Sequence, residues 1–71
     1  VLNINNGQRF ITYAIAAGRG TGTVVLNGPA ARLGRVGDKV IIISYCSVPA
    51  ESVKDLQPKK VFVDDHNRPK E

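Results

Sequence analysis

Arg9 and Tyr13 are the two side chains of this sequence best suited to chemistry on a small anion. A guanidinium is a planar fork that grips a carboxylate, and a phenol can deliver a proton. They stand four apart, so on a strand both emerge on one face, about 13 Å apart if it is straight. Thr12 lies between them on the opposite face. A second feature is Asn27-Gly28-Pro29-Ala30-Ala31, whose small residues would let a ligand approach the backbone closely. Each has a plain reading too. Arg and Tyr are ordinary residues of exposed strands, and the small-residue run can be a simple turn.

Other candidates carry less. Gly18-Arg19-Gly20-Thr21-Gly22 looks like a phosphate cradle, but it lacks the Lys-Ser/Thr pair and a following helix, so it reads as a hairpin loop. Cys46 follows an apolar strand and reads as a structural thiol. His66 sits among turn residues with no Ser or Cys beside it, as a solvated turn histidine does. Asp64 and Asp65 are neighbours at a strand end and point apart. With one cysteine and one histidine, an intrachain disulfide and a Cys-rich zinc site are both excluded.

The elements that must position Arg9 and Tyr13 are mostly strands. Residues 1–4 and 8–15 flank Asn5-Asn6-Gly7, a turn sequence that tolerates positive φ, and read as a hairpin. Residues 16–22 form a loop and 23–26 a short strand, broken by Asn27-Gly28-Pro29. Residues 30–33 suit one helical turn ended by Gly34. Val36-Gly37-Asp38 turns the chain into 39–45, the strongest strand signal, whose apolar run predicts burial on both faces. The one longer helix is predicted over 48–56, capped by Ser47 and with Pro49 in its first turn. Residues 59–63 are a last strand, 64–67 a turn and 68–71 a frayed tail. This is a mainly β fold, one domain over 1–71, reading as a fragment of a β-barrel. Its opening residues, Val1-Leu2-Asn3-Ile4, read as the middle of a strand in a processed or partial chain.

Size and charge narrow the function. A chain of 71 residues buries too little surface to be comfortably stable alone. Without disulfide or zinc, a partner chain is the support left. The longest apolar run, Tyr13 to Ala17, is too short to cross a membrane as a helix. The net charge of +4 lies wholly in residues 1–50, where Arg9, Arg19, Arg32, Arg35 and Lys39 face Asp38 alone. Such an arginine bias suits an anionic small molecule or nucleic acid. Nucleic-acid stacking needs aromatic side chains along a basic groove, and Phe10, Tyr13, Tyr45 and Phe62 are too scattered for that.

Together the motifs Asn6-Gly7-Gln8-Arg9-Phe10-Ile11-Thr12-Tyr13-Ala14-Ile15, Arg19-Gly20, Leu26-Asn27-Gly28-Pro29-Ala30-Ala31-Arg32 and Val36-Gly37-Asp38-Lys39-Val40-Ile41-Ile42-Ile43-Ser44-Tyr45 resemble the pyruvoyl-dependent aspartate 1-decarboxylases. Pro58-Lys59-Lys60-Val61-Phe62-Val63-Asp64 resembles that family's last strand. The resemblance runs in order through essentially the whole chain. It implies a double-psi β-barrel, a cytoplasmic homotetramer and a proenzyme that cleaves itself at a Gly-Ser bond, so that the serine becomes a covalent pyruvoyl cofactor. It implies conversion of L-aspartate to β-alanine and CO₂ through a Schiff base with that group, for pantothenate synthesis.

By the same resemblance Tyr13 is the proton donor and Arg9 holds a substrate carboxylate. Thr12 sits at the substrate and cleavage site, Asn27 supports it, and Gly28, Pro29 and Ala30 form the substrate loop. Two departures stand out. The sequence contains no Gly-Ser pair, so the pyruvoyl serine and the N-terminal β chain are expected upstream of Val1. Pro29 stands where the family usually has alanine, which removes one backbone N–H and leaves Gly28 and Ala30 as possible donors. A non-catalytic barrel of the same fold, or a small basic barrel that binds nucleic acid, are the alternative readings.

Overall fold

The computed structural model describes residues 1–70. Its organising unit is the N-terminal hairpin. Asn3 and Asn6 shape the turn with their side chains: Asn3 Oδ1 accepts from the N–H groups of Asn5 and Asn6 at 2.9 and 3.3 Å, and Asn6 Oδ1 accepts from that of Gln8 at 2.9 Å. These bonds hold the turn that the Asn-Asn-Gly sequence predicts. Pairing continues to the open end, where Phe10 N–H donates to the Val1 carbonyl at 3.0 Å.

Strand β1, Leu2–Asn3, is the middle element of a small antiparallel arrangement. On one side Leu2 bridges Arg9. On the other β1 pairs with β2, Val40–Ile41, in the register Leu2 to Ile41 and Asn3 to Val40. The sheet is open. Beyond Phe10 and Ile41 the backbone runs without regular pairing, so the strands expected over 8–15 and 39–45 form only at Arg9 and Val40–Ile41, and the one expected over 23–26 is unpaired extended chain. The chain is mainly β and incomplete as a barrel.

Two short 3₁₀ segments interrupt the extended backbone. Gly28–Leu33 begins two residues before the helical turn predicted at 30–33, with Asn27 as its cap. Gly34 does end it, but its backbone is extended (φ −163°) rather than left-handed. Glycine there lets the backbone pass close to its neighbours: a Cβ would lie 2.7 Å from the flexible end of Leu26 and 3.3 Å from Asn3 Nδ2, and both would have to shift to admit it. The second segment, Ala50–Asp55, is 3₁₀ rather than α and is capped by Pro49, not Ser47. Proline keeps Val48 out of the helical region, which removes the start expected at Val48, and Pro49 itself is extended (φ −56°, ψ 143°) and acts as the cap.

Residues 68–70 are not a frayed tail. Asp64 Oδ1 accepts from the N–H groups of His66 and Arg68 at 2.8 and 3.0 Å, and Lys70 N–H donates to the Phe62 carbonyl at 2.8 Å. The result is a C-terminal hairpin with Val63 bridged to Pro69. Glu71 lies outside the described residues. The hairpin docks on the glycine loop, where Asn67 Nδ2 donates to the Gly22 carbonyl at 2.8 Å. Gly22 has φ +71°, and a Cβ there would run into the His66 carbonyl, so both its conformation and this close approach require glycine.

Among the described residues no hydrophobic side chain is buried; Asn3, at 2 % exposure, is the one buried residue. The prediction that 39–45 would be covered on both faces is therefore overturned, and Ile42 is 67 % exposed. Cys46 at the end of that run is exposed and free instead of a packed structural thiol. An apolar run identifies a surface that must be covered; it does not say that the cover lies in the same 70 residues. The radius of gyration, 14.4 Å, agrees, since a compact domain of this length would have about 11 Å. No helix among the described residues is long and apolar enough to cross a membrane.

Candidate active site

Many of the exposed apolar side chains, among them Ile11, Ile15, Val24, Val25, Ile42 and Ile43, lie together. They curve around one open trough of about 1590 Å³, walled by residues 9–17, 23–30 and 42–45. All seven residues singled out from the sequence line it: Arg9, Thr12, Tyr13, Asn27, Gly28, Pro29 and Ala30. Arg9 is placed by its bridge to Leu2 at the open end of the hairpin. Thr12 and Tyr13 follow on extended, unpaired backbone, and both face the same space although they alternate on a flat strand. Separation of the two faces holds only where a strand is kept flat by its neighbours, and none pairs with it there. Tyr13 is 78 % exposed and lines the trough.

The opposite wall is the start of the first 3₁₀ segment. Asn27 caps it in an extended conformation but makes no side-chain capping bond, so its amide is not consumed by the backbone. Gly28 has φ +61° with open space where a Cβ would be, which leaves the backbone accessible. Pro29 falls in the first turn, where a helical N–H has no internal partner anyway, so it does not weaken the segment. In a segment capped by Asn27, the i to i+3 pattern engages the Ala30 N–H with the Asn27 carbonyl. Ala30 then offers its methyl as wall, and Gly28 is the loop's backbone donor.

Ser44 and Tyr45 line the trough as well, and the sequence reading had placed them inside a buried strand. No signal in the sequence singles them out, since the unbroken apolar run 40–43 has no period-2 alternation to show which face stays open. His66, Asp64 and Asp65 lie elsewhere, in the C-terminal hairpin.

The chain is thus an open, mainly β protein in which an arginine, a tyrosine and an asparagine line one apolar trough. Residues 1–70 match the family described as aspartate decarboxylase, and the chain belongs to that family. It is 60% identical over 68 residues to an aspartate 1-decarboxylase of Caldicellulosiruptor saccharolyticus, covering 96% of this chain and 53% of that protein. It is 61% identical over 71 residues to one of Leptospira biflexa, covering 99% of this chain and 60% of the relative. A Thermoanaerobacter pseudethanolicus relative of the same name is 58% identical over 69 residues. The chain thus spans little more than half the length of these curated relatives.

The donor set suits a pyruvoyl group. Guanidinium, hydroxyl, phenol and carboxamide can all bond to oxygen, and neither a lysine nor a cysteine lines the trough among the described residues. No lysine amine or cysteine thiol among the described lining residues therefore competes for a reactive carbonyl placed there.

Proposed function

We propose that this chain supplies the substrate-holding wall of an L-aspartate 1-decarboxylase that releases CO₂ and yields β-alanine for pantothenate synthesis. What supports the reading is that Arg9, Tyr13 and the small-residue loop all line one apolar trough. A pyruvoyl group, formed from a serine outside these residues, would be held against this wall by Thr12, Asn27 and Tyr13 and would supply an electron-withdrawing carbonyl for decarboxylation.

This chain's part is binding and proton delivery. The Arg9 fork holds one carboxylate of the dianionic substrate by paired hydrogen bonds. Asn27 and the Gly28 N–H bond to the oxygens that remain, and Thr12 donates from the floor. The side chains of Ile11, Ile15, Val24 and Val25 give the departing carboxylate an apolar surrounding, which favours loss of charge as neutral CO₂. Tyr13 then places its phenolic proton on the α-carbon. Closing the trough as a double-psi barrel falls to the N-terminal β chain and to the other subunits of a homotetramer in the cytoplasm, and that cover strengthens each polar contact inside.

The test uses the full-length, processed protein. It should convert L-aspartate to β-alanine with release of CO₂. Tyr13→Phe keeps the ring and removes the proton, so turnover should fall by about 10² to 10⁴-fold while borohydride still traps labelled aspartate on the protein. Turnover unchanged in Tyr13→Phe would reduce Tyr13 to an ordinary strand tyrosine. A processed wild type that makes no β-alanine would overturn the reading.

A further inference from the structure

The one buried side chain of the described residues is polar, and every one of its hydrogen-bonding positions is engaged. Asn3 Nδ2 donates to Asp38 Oδ2 at 2.9 Å and to the Leu33 carbonyl at 3.1 Å. Its Oδ1 accepts from two turn N–H groups. Asn6 Nδ2 donates to the same Leu33 carbonyl at 3.1 Å. Asp38 Oδ2 also takes the Arg35 N–H at 2.9 Å, and Asn5 Oδ1 takes the Lys39 N–H at 2.7 Å. Four pieces of chain therefore meet at one point: the hairpin turn, the end of the first 3₁₀ segment, the 35–38 turn and the entry to β2.

Leu33 is the last residue of the segment whose first residues form the proposed substrate loop. The final carbonyls of a helix lack internal partners, and here two asparagine amides capture one of them. The other end has no such anchor, because Asn27 makes no capping bond. A 3₁₀ segment of this length is a short rod, rising about 2 Å per residue, so fixing one end sets the other. The backbone also passes so close to the cluster at Gly34 that a methyl group there would press on Asn3 Nδ2 at 3.3 Å.

We infer that Asn3 and Asp38 form a polar clasp that positions the Asn27–Ala30 loop for substrate by holding the far end of its 3₁₀ segment at Leu33. They are positioning residues; neither lines the trough. The inference rests on the functional reading above for its consequence, and on the hydrogen-bond geometry alone for its mechanics.

The experiment compares Asp38→Ala and Asp38→Asn in the full-length processed enzyme. Alanine removes the acceptor shared by Asn3 and Arg35; asparagine can return an oxygen to that place. Amide hydrogen exchange is followed in peptides covering 27–34 and 62–70, and KM and kcat for L-aspartate are measured in parallel. Asp38→Ala should speed exchange at 27–34 about tenfold and leave 62–70 unchanged. It should raise KM on the order of tenfold with kcat per active site within about twofold, because small misplacements of a holding group have effects of this size or greater. Asp38→Asn should recover most of both. Asn6→Ala, at an exposed position, removes one of the two donors to Leu33 and should show the same pattern more weakly, which serves if Asp38→Ala does not assemble. Unchanged exchange at 27–34 overturns the clasp whatever the activity. Faster exchange with unchanged KM overturns the positioning role. A wild type that makes no β-alanine sinks the functional reading alone, and the exchange arm still decides the clasp.

Discussion

Pro29 lies in the first turn of the segment that edges the trough, and its ring removes a backbone N–H at a position where that group would have no helical partner. An alanine there would aim one more donor at the trough. Hydrogen bonds to charged groups are worth about 1.5–3 kcal/mol, while losing the proline's restriction of the unfolded chain costs about 0.4–1 kcal/mol in stability. The two effects fall on different measurements. Pro29→Ala should lower KM for L-aspartate several-fold and lower the melting temperature slightly, which steady-state kinetics and a thermal scan on the full-length enzyme would check. A KM left unchanged would mean that the substrate takes no bond from position 29. The chemical candidates at this scale were readable in the sequence because their residue types are distinctive: an arginine, a phenol and a run of small residues have few other uses in such company. Tyr45 was not readable as a trough residue, since its position at the end of an apolar run says nothing about which side is left open.

At the scale of elements, turns were legible and strands were not. The Asn-Asn-Gly turn and the segment near 28–33 follow from local chemistry, because asparagine side chains and glycine φ values act within a few residues. Strand extent depends on partners, and an apolar run cannot name its partner; hence 39–45 forms regular pairing only at Val40–Ile41. At the C-terminus the turn over 64–67 was legible and its return was not: nothing in residues 68–70 signals that their backbone pairs back to Phe62 and Val63. The clasp supplies an element-scale prediction. The Asn3 amide, then the Arg35 N–H and the Arg35 charge, hold the Asp38 carboxyl below its ordinary value. A carboxylate with a depressed folded pKa contributes stability that is fully present above the unfolded value of about 3.9, and loses it as pH falls through the lower folded value. Protection of the 27–34 amides, after correction for intrinsic exchange, should therefore hold from neutrality down to about pH 4 and decline below it. The Asp38→Asn enzyme should lack that component of the decline; an identical acid profile in both proteins would rule out Asp38 as its source.

At the scale of the whole molecule, the contrast is between a satisfied polar centre and uncovered apolar walls. Ile11 and Tyr45 on those walls are almost wholly exposed, and the one buried side chain among the described residues is an asparagine. Apolar area exposed to water forgoes roughly 25 cal/mol per Å², so a chain with this surface gains little by folding alone. Residues 1–71 produced in isolation should show no cooperative thermal transition as a monomer at micromolar concentration, and should associate or stay unfolded. Equilibrium sedimentation with calorimetry would check this, and a well-folded monomer would show that the walls find cover within the chain. The same walls in the full-length protein should be protected from exchange.

Strand β1 is paired twice, to Arg9 seven residues from Leu2 and to Ile41 much further along. The order in which those partners arrive follows from chain entropy. Bringing Ile41 to Leu2 costs about 1.5 kcal/mol more in loop closure than bringing Arg9, and hairpins close in about 1–10 μs. The hairpin is thus the nucleus onto which β2 docks, and Asn3, belonging to both, is preset by its turn before Asp38 and Leu33 come within reach. Residues 1–10 are a template, and the loop that faces substrate takes its place only after the template has caught its distant strand.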